Sequence, residues 1–293
     1  MLLRPFLLAL IAAGPLAAAD APAKILLFTR SQGFEHSVIK PGKEGTSLVE
    51  RVLTTLGKDH AFTITTTKDG GVFTAEKLKE YDAFAFYTTG DLTKEGGDKN
   101  PAMSPEGKQA LFDAIKAGKG FIGFHSATDT FHGPSGAHSA KQDAAPDPYA
   151  VMIGGEFIVH GAQQAPKVIT TDAKFPGVDG FGASVEFKEE WYSLKQLQKD
   201  LHVVQVLDTS TMQGWMYQRG QYPVTWVHPY GKGKVFYTAM GHRDETWASP
   251  LFLKLITNGI DYALHRITVD ETPNIDTVAP KANELPVPEP AKK

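Results

Sequence analysis

The sequence predicts an α/β fold, a doubly wound, mostly parallel sheet carrying an added antiparallel C-terminal hairpin. Short and continuously apolar runs, Lys24-Ile-Leu-Leu-Phe-Thr-Arg30, Ala83-Phe-Ala-Phe-Tyr87 and Gly120-Phe-Ile-Gly-Phe124, have the composition of strands buried on both faces. Segments of helical periodicity lie between them, and regular strand–helix alternation is the pattern of a parallel sheet joined by crossover helices. Near the end, Val224-Thr-Trp-Val-His228 and Val235-Phe-Tyr-Thr-Ala239 flank the turn Gly231-Lys-Gly233 and read as a hairpin.

In chain order, Met1–Ala19 has one basic residue, the apolar run Phe6–Ala13 and Ala17-Ala18-Ala19 before Asp20. That is the form of a cleaved secretory signal, too short in its apolar run to span a bilayer, so a periplasmic or secreted protein is expected. After the strand at Lys24, Leu48, Val52 and Leu56 mark one helix face ending at Gly57, Phe62–Thr67 alternates as a strand, and Ala75–Tyr81 reads as a short helix. Ser104-Pro105-Glu106 is a helix start, with Ser as cap and Pro at the first helical position, and Gly118 stops that helix. In the second half, Asp147–Ile153 reads as a helical turn closed by Gly154-Gly155, while Lys167–Thr171, Glu186–Ser193 and Val203–Leu207 read as strands. A last helix begins at Ser249-Pro250 with the stripe Leu251, Phe252, Leu255 and Ile256. One domain is expected over residues 24–266. Residues 267–293, with five Pro between Pro273 and Pro290, are expected to form a flexible tail.

Composition narrows the function classes. The chain of 293 residues contains no Cys, which removes disulfides, thiolate metal sites and cysteine nucleophiles. A net charge of -3 with interspersed signs offers neither a nucleic-acid patch nor a polybasic membrane anchor. Gly96-Gly97 and Gly154-Gly155 lack the spacing and context of a phosphate loop, so no nucleotide is expected. A small molecule is the expected partner, and a homo-oligomer is compatible with the composition.

In an open doubly wound sheet, ligands bind beyond the carboxyl ends of the strands. Position alone selects the segments Ser31–Ser37, Thr88–Asp91, His125–His132 and Met240–Asp244. They contain His36, Asp91, His125, Ser126, Asp129, His132 and His242. Gly123-Phe124-His125-Ser126-Ala127 has the small-x-X-x-small form of a nucleophile elbow, with an imidazole at its apex that suits proton transfer or metal ligation better than acyl chemistry. For His36 a helix-capping role is the competing reading, and His132 reads as a mobile loop residue. His160 follows an apolar triplet, as His125 does, whereas His60, His202 and His265 read as solvated. Glu189-Glu190-Trp191-Tyr192 sets carboxylates beside aromatics, either a charge pair over a core Trp or an acid beside a sugar-stacking ring. No compact metal motif occurs, so a divalent-metal site from His36, His125 and His242 would have to be assembled from distant loops. The long loop Thr128–Ala145 reads as a site wall or lid.

Several stretches resemble the ThuA-like (trehalose utilisation) family: Gly33-Phe34-Glu35-His36-Ser37, Gly123-Phe124-His125-Ser126-Ala127, Tyr149–Gly155 with Phe157 and His160-Gly161, and Glu190-Trp191-Tyr192. The closing run Pro223–His242 is the most specific. The resemblance implies a flavodoxin-like sheet of the class I glutamine amidotransferase type, with His125 in place of that fold's elbow Cys. Glu35 stands where the family usually has a basic residue. It further implies carbohydrate catabolism, particularly of 3-keto-disaccharides. A 3-keto glycoside has an acidified C2–H, so elimination would need a base, an electrophile at the ketone oxygen and an acid for the leaving group. The expected catalytic residues are His125, His242 and Glu190, with His36, Asp91, Ser126, Asp129, His160, Trp191 and Tyr192 binding substrate. The competing expectation is a non-catalytic carbohydrate-binding protein of the cell envelope.

Overall fold

The computed structural model describes residues 21–97 and 99–288, so the expected leader, residues 1–19, lies outside the described residues. In chain order the elements are β1 (Ala23–Phe28), α1 (Leu48–Asp59), β2 (Phe62–Thr67), β3 (Ala83–Phe86), α2 (Pro105–Lys116), β4 (Gly120–Phe124), α3 (Pro148–Ile153) and β5 (Glu156–His160). They continue as β6 (Lys167–Thr170), β7 (Ser184–Glu186), β8 (Tyr192–Lys195), β9 (His202–Leu207), β10 (Tyr222–Tyr230), β11 (Gly233–Thr238), α4 (Asp244–Trp247), α5 (Pro250–Ala263) and α6 (Ile275–Val278). The expected helix at Ala75–Tyr81 is a 3-10 turn, Lys77–Glu80. Among the described residues no helix is long and apolar enough to cross a membrane.

Nine strands form one sheet in the order β2-β1-β3-β4-β11-β10-β9-β6-β7. The first five are parallel, as the apolar runs predict. The antiparallel part extends beyond the expected hairpin: β10 pairs with β11, β9 with β10, β6 with β9 and β7 with β6. Its strands β6 and β7 are short and partly exposed, and their sequences carry too little apolar signal to reveal their direction. A separate pair, β5 and β8, packs over the carboxyl edge of the parallel half, with β5 against the turn after β4.

Helix starts follow the local chemistry. Ser47 Oγ accepts from the Glu50 N–H at 3.1 Å and Ser104 Oγ from the Gly107 N–H at 3.0 Å, each satisfying a donor that the first helical turn leaves open. Gly154 closes α3 at φ 101°, and a Cβ there would also strike the buried Trp226 ring. Chain order reverses between β1 and β3, the crevice where ligands settle in doubly wound sheets. Beyond the sheet edge, bridges Ser31–Thr89 and Gly90–Thr130 zip together the loops that follow β1, β3 and β4.

Residues 267–288 depart from the expected flexible tail. Ile275, Ala279 and Ala282 are buried, the Asn274 side chain accepts from the Val203 N–H at 2.7 Å, and the Asn283 side chain bonds both the N–H and the C=O of Leu197. A composition poor in apolar residues conceals this order because few apolar side chains are used and polar side chains pair with strand backbone. His202, expected to be solvated, is buried beneath the same segment, its ring reaching Thr272 O at 2.7 Å and Asp172 Oδ2 at 3.1 Å.

Candidate metal centre

Three loops of the parallel half and one turn beside the β5–β8 pair meet at the carboxyl edge. His36 precedes a 3-10 turn but makes no capping bond; its ring points inward instead. His125 follows β4 at φ 41°, a left-handed conformation costly for a residue with a Cβ. Tyr237 O–H donates to the His125 carbonyl at 2.7 Å, and the ring's Nδ1–H donates to Ala239 O at 2.9 Å, so the β11 segment holds both ends of the strained residue. The flanking Gly123 serves packing: a Cβ there would come within 2.8 Å of the Tyr237 ring. The rings of His36, His125 and His242 stand edge to face, with centroids 4.9, 5.2 and 5.3 Å apart.

The Glu190 carboxylate completes the group, with Oε2 at 3.0 Å from His242 Nδ1, 3.5 Å from His125 Nε2 and 3.9 Å from His36 Nε2. Its other oxygen lies 3.3 Å from His160 Nδ1. One ligand atom from each of His36, His125, Glu190 and His242 falls within 4.8 Å of the others, a set that could hold a metal ion. Burial opposes ionising Glu190, yet the surrounding imidazoles of His125, His242 and His36 outweigh it and hold the carboxyl well below its usual range. Burial pushes His125 down to about 4 and lowers His36 as well. His242 moves the other way: the Glu190 carboxylate beside it overcomes burial and raises it.

The donor set fits a cation. Because Nδ1–H of His125 is committed to Ala239 O, the neutral ring turns its Nε2 lone pair toward a carboxylate oxygen, two electron-rich atoms facing each other. His125 Nε2 and His242 Nδ1 are buried without a hydrogen-bond partner, as is His36 Nδ1. A divalent cation between the ligand atoms would satisfy the first two. Three imidazoles and one carboxylate suit borderline metals such as zinc or other late first-row ions, and the backbone carbonyl behind His125 is the usual outer partner of a ligating His.

A buried residue outside the set positions His242. Glu189 accepts from the N–H groups of Gly241 (2.8 Å), His242 (3.2 Å) and Arg243 (3.2 Å) and from Thr246 Oγ1 (3.1 Å). Burial raises its carboxyl, and these donors oppose the rise. The pair Glu189-Glu190 therefore divides its work: one carboxylate grips the loop and the next faces the imidazoles.

The centre opens into a cavity of about 540 Å³ lined by His36, Asp91, Asp129, His132, His160, Glu190 and Tyr192, with Phe34, His138 and Phe157 among the others. Tyr192 lays its ring 4.3 Å from His125 and brings its hydroxyl 3.3 Å from His36 Nε2. Asp91 lies on the wall, though its Oδ1 caps Thr93. Two expected binding residues are not there. Trp191 is 0% exposed in the core and offers no face to a sugar, and Ser126 is fully buried under the elbow. Trp191 is expected there as a sugar-stacking ring beside Glu190, and Ser126 as part of the segment that follows β4, but in extended or tightly turned backbone adjacent side chains point apart.

His132, which the sequence suggests is a mobile loop residue, is a fixed part of the wall. Its Nε2 lies 3.0 Å from Asp129 Oδ1 and its Nδ1 3.3 Å from Glu156 Oε1. Burial would lower its pKa, but these two carboxylates raise it to about 9. Behind it, the fully buried Glu156 and Lys195 pair at 3.2 Å, and Lys195 Nζ donates to Ser135 Oγ at 2.7 Å. Glu156 and Lys195 are register partners across β5 and β8. A carboxylate opening β5 and an ammonium closing β8, each next to an apolar residue, are the sequence signal for this network. The loop after β4 is thereby bolted to the β5–β8 pair. Glu35, the departure from the expected basic residue, pairs with Lys68.

Among solved structures, the chain is similar to a putative ThuA-like protein from Bacteroides uniformis (22% identity, 86% of this chain and 95% of that one, TM-score 0.60). It is also similar to one from Parabacteroides merdae (15% identity, 85% and 92%, TM-score 0.53). At these identities the likeness establishes the fold. No curated protein matches the sequence. The sequence profile of the family described as ThuA, trehalose utilisation, matches residues 24–263, nearly the whole described domain, and the chain belongs to the ThuA family.

Proposed function

We propose that this chain is an exported protein that processes glycosides oxidised at C3, using the His36–His125–His242–Glu190 centre to activate the ketone. The observation that carries the reading is the centre itself: a buried, locked imidazole lone pair aimed at Glu190, which with His36 lines a cavity large enough for a disaccharide. A divalent ion held by these four residues would act as a Lewis acid toward the ketone oxygen and so acidify the C2–H.

The protein's own groups would supply the proton transfers. His160 Nδ1 faces Glu190 Oε1 and the Gly161 carbonyl, which turns its Nε2 toward the cavity as a base for the C2 proton. The electron pair of that C–H bond would form C1=C2 while the C1–O bond breaks. A proton must then reach the departing oxygen, and the His160 imidazolium formed by taking the C2 proton is the acid that delivers it, since His242 would be held by the ion. Glu190, held ionised, serves as ligand and orienter rather than as the acid. Tyr192, whose phenol burial pushes well above its ordinary range, stays protonated and can donate to the substrate's oxygens.

The test is incubation of the purified protein with 3-keto-trehalose and with trehalose, with and without chelator, followed by mass spectrometry of the released sugars. Turnover of the keto sugar alone, lost on chelation and restored by added metal, is expected. Equal inactivity on both removes the catalytic claim. Retained binding in that case would leave the carbohydrate-binding role.

A further inference from the structure

The centre occupies only the floor of the cavity, and its outer rim has a chemistry of its own. The exposed large hydrophobic side chains among the described residues are Phe34 and Val287, and of these Phe34, 68% exposed, borders the cavity. It is held rather than loose: Thr89 Oγ1 donates to its carbonyl at 2.9 Å, and its ring meets His36 edge to face at 5.0 Å and 89°. The adjoining residue on the same spine, Gly90, donates its N–H to the Asp129 carbonyl at 2.6 Å. Phe34 and Asp129 thus belong to a single rim, fixed through Thr89-Gly90.

Asp129 faces the cavity with one oxygen on His132, whose far nitrogen is taken by Glu156 and so indirectly by Lys195. That chain of opposite charges keeps the carboxylate fixed. An aromatic face and an oriented carboxylate lining one cavity are the pairing that recognises a sugar ring, since C–H bonds of one pyranose face pack on the ring while hydroxyls donate to the acid. The aromatic platform expected at Trp191 is absent there because that ring is buried, and Phe34 is the aromatic that the cavity leaves open.

We infer that Phe34 and Asp129 form a second sugar subsite, which holds the ring leaving from C1 while the oxidised ring lies against the metal centre. The inference rests on the proposed function and adds to it the residues that select the leaving group, Phe34 and Asp129 favouring a ring-shaped one over a small alkyl one.

The experiment compares 3-keto-trehalose with methyl 3-keto-α-glucoside on wild type, Phe34→Ala, Phe34→Trp and Asp129→Asn, reading the ratio of the two kcat/KM values. The ratio cancels any general loss of fold or metal. Phe34→Ala is expected to cut it about tenfold, through KM for the disaccharide. Phe34→Trp should restore it, and Asp129→Asn should lower it in the same direction. An unchanged ratio in Phe34→Ala, with wild type active, overturns the subsite and leaves the proposed reaction standing. Saturation-transfer NMR with trehalose separates the remaining case. If wild type shows a transfer signal but no turnover, and the signal disappears in Phe34→Ala, the subsite stands and the reaction falls. Neither signal nor turnover in wild type removes both.

Discussion

The imidazole of His132, set between Asp129 and Glu156, makes the stability of this fold depend on alkaline pH in a way that can be measured. Its pKa in the folded protein is about 9, against 6.5 for the unperturbed ring. A raised folded value means that the folded state binds the proton more tightly. The contribution to stability is therefore complete below pH 6.5 and is lost as the pH rises through 9. A difference of about 2.5 units corresponds to about 3 kcal/mol, at 1.36 kcal/mol per unit. The side chain is only 11% exposed, so solvent screening removes little of it. Urea unfolding of wild type and His132→Gln at pH 6 and pH 9.5 isolates this group, because every other titration is common to both. Wild type should lose about 3 kcal/mol more than the variant between the two pH values. Parallel pH dependences would refute the reasoning, and imidazole NMR of wild type with a His132 titration near 6.5 would refute it without any substitution.

Three further outcomes follow from the same geometry. Zinc binding followed by calorimetry should weaken at least a hundredfold, about 3 kcal/mol, in each of His36→Ala, His125→Ala and His242→Ala, since each removes one of the four side chains that could hold the ion. Glu189→Ala, which strips four hydrogen bonds from the His242 loop, should destabilise the fold by about 2–3 kcal/mol and weaken zinc roughly tenfold, with partial rescue by Glu189→Gln. Ending the chain after Arg266 should cost about 3 kcal/mol through the lost burial of Ile275 and the bonds of Asn274 and Asn283, and scanning calorimetry should show Tm falling by roughly 6–12 °C.

The parallel half is legible in the sequence because its strands are buried on both faces and its helices carry caps that act within three residues. The three imidazoles are legible for a related reason: each follows a strand of that half, and topology alone sends such residues to one edge. What stays hidden depends on distance or on direction. His132 is hard to distinguish from a solvated loop residue because only Asp129, three residues before it, is a local partner, and the Glu156 that completes the grip comes from β5. Trp191 and Ser126 lie outside the cavity because neighbours in sequence need not be neighbours in space. The packed tail escapes notice because its anchors are Asn side chains on strand backbone, an arrangement that composition does not register.

The β5–β8 pair brings Glu190, His160 and Tyr192 to the centre, yet a two-stranded ribbon has little stability of its own. What fixes it is the buried ion pair Glu156–Lys195, both residues fully inaccessible and tied onward to Asp143 and Ser135 of the loop after β4. Such a pair contributes little net energy relative to apolar neighbours, but removing one partner strands a buried charge, at about 3–5 kcal/mol. Lys195→Met alone should therefore destabilise the domain by about that amount, while Lys195→Met with Glu156→Gln should recover most of it. The recovered protein makes the informative comparison. If the ion pair serves to orient the ribbon, zinc affinity should stay reduced in the double variant although stability returns, because Glu190 is then less firmly placed. Zinc affinity that recovers together with stability would mean that shape packing alone positions Glu190, and that the charges in these strands serve the fold and not the centre.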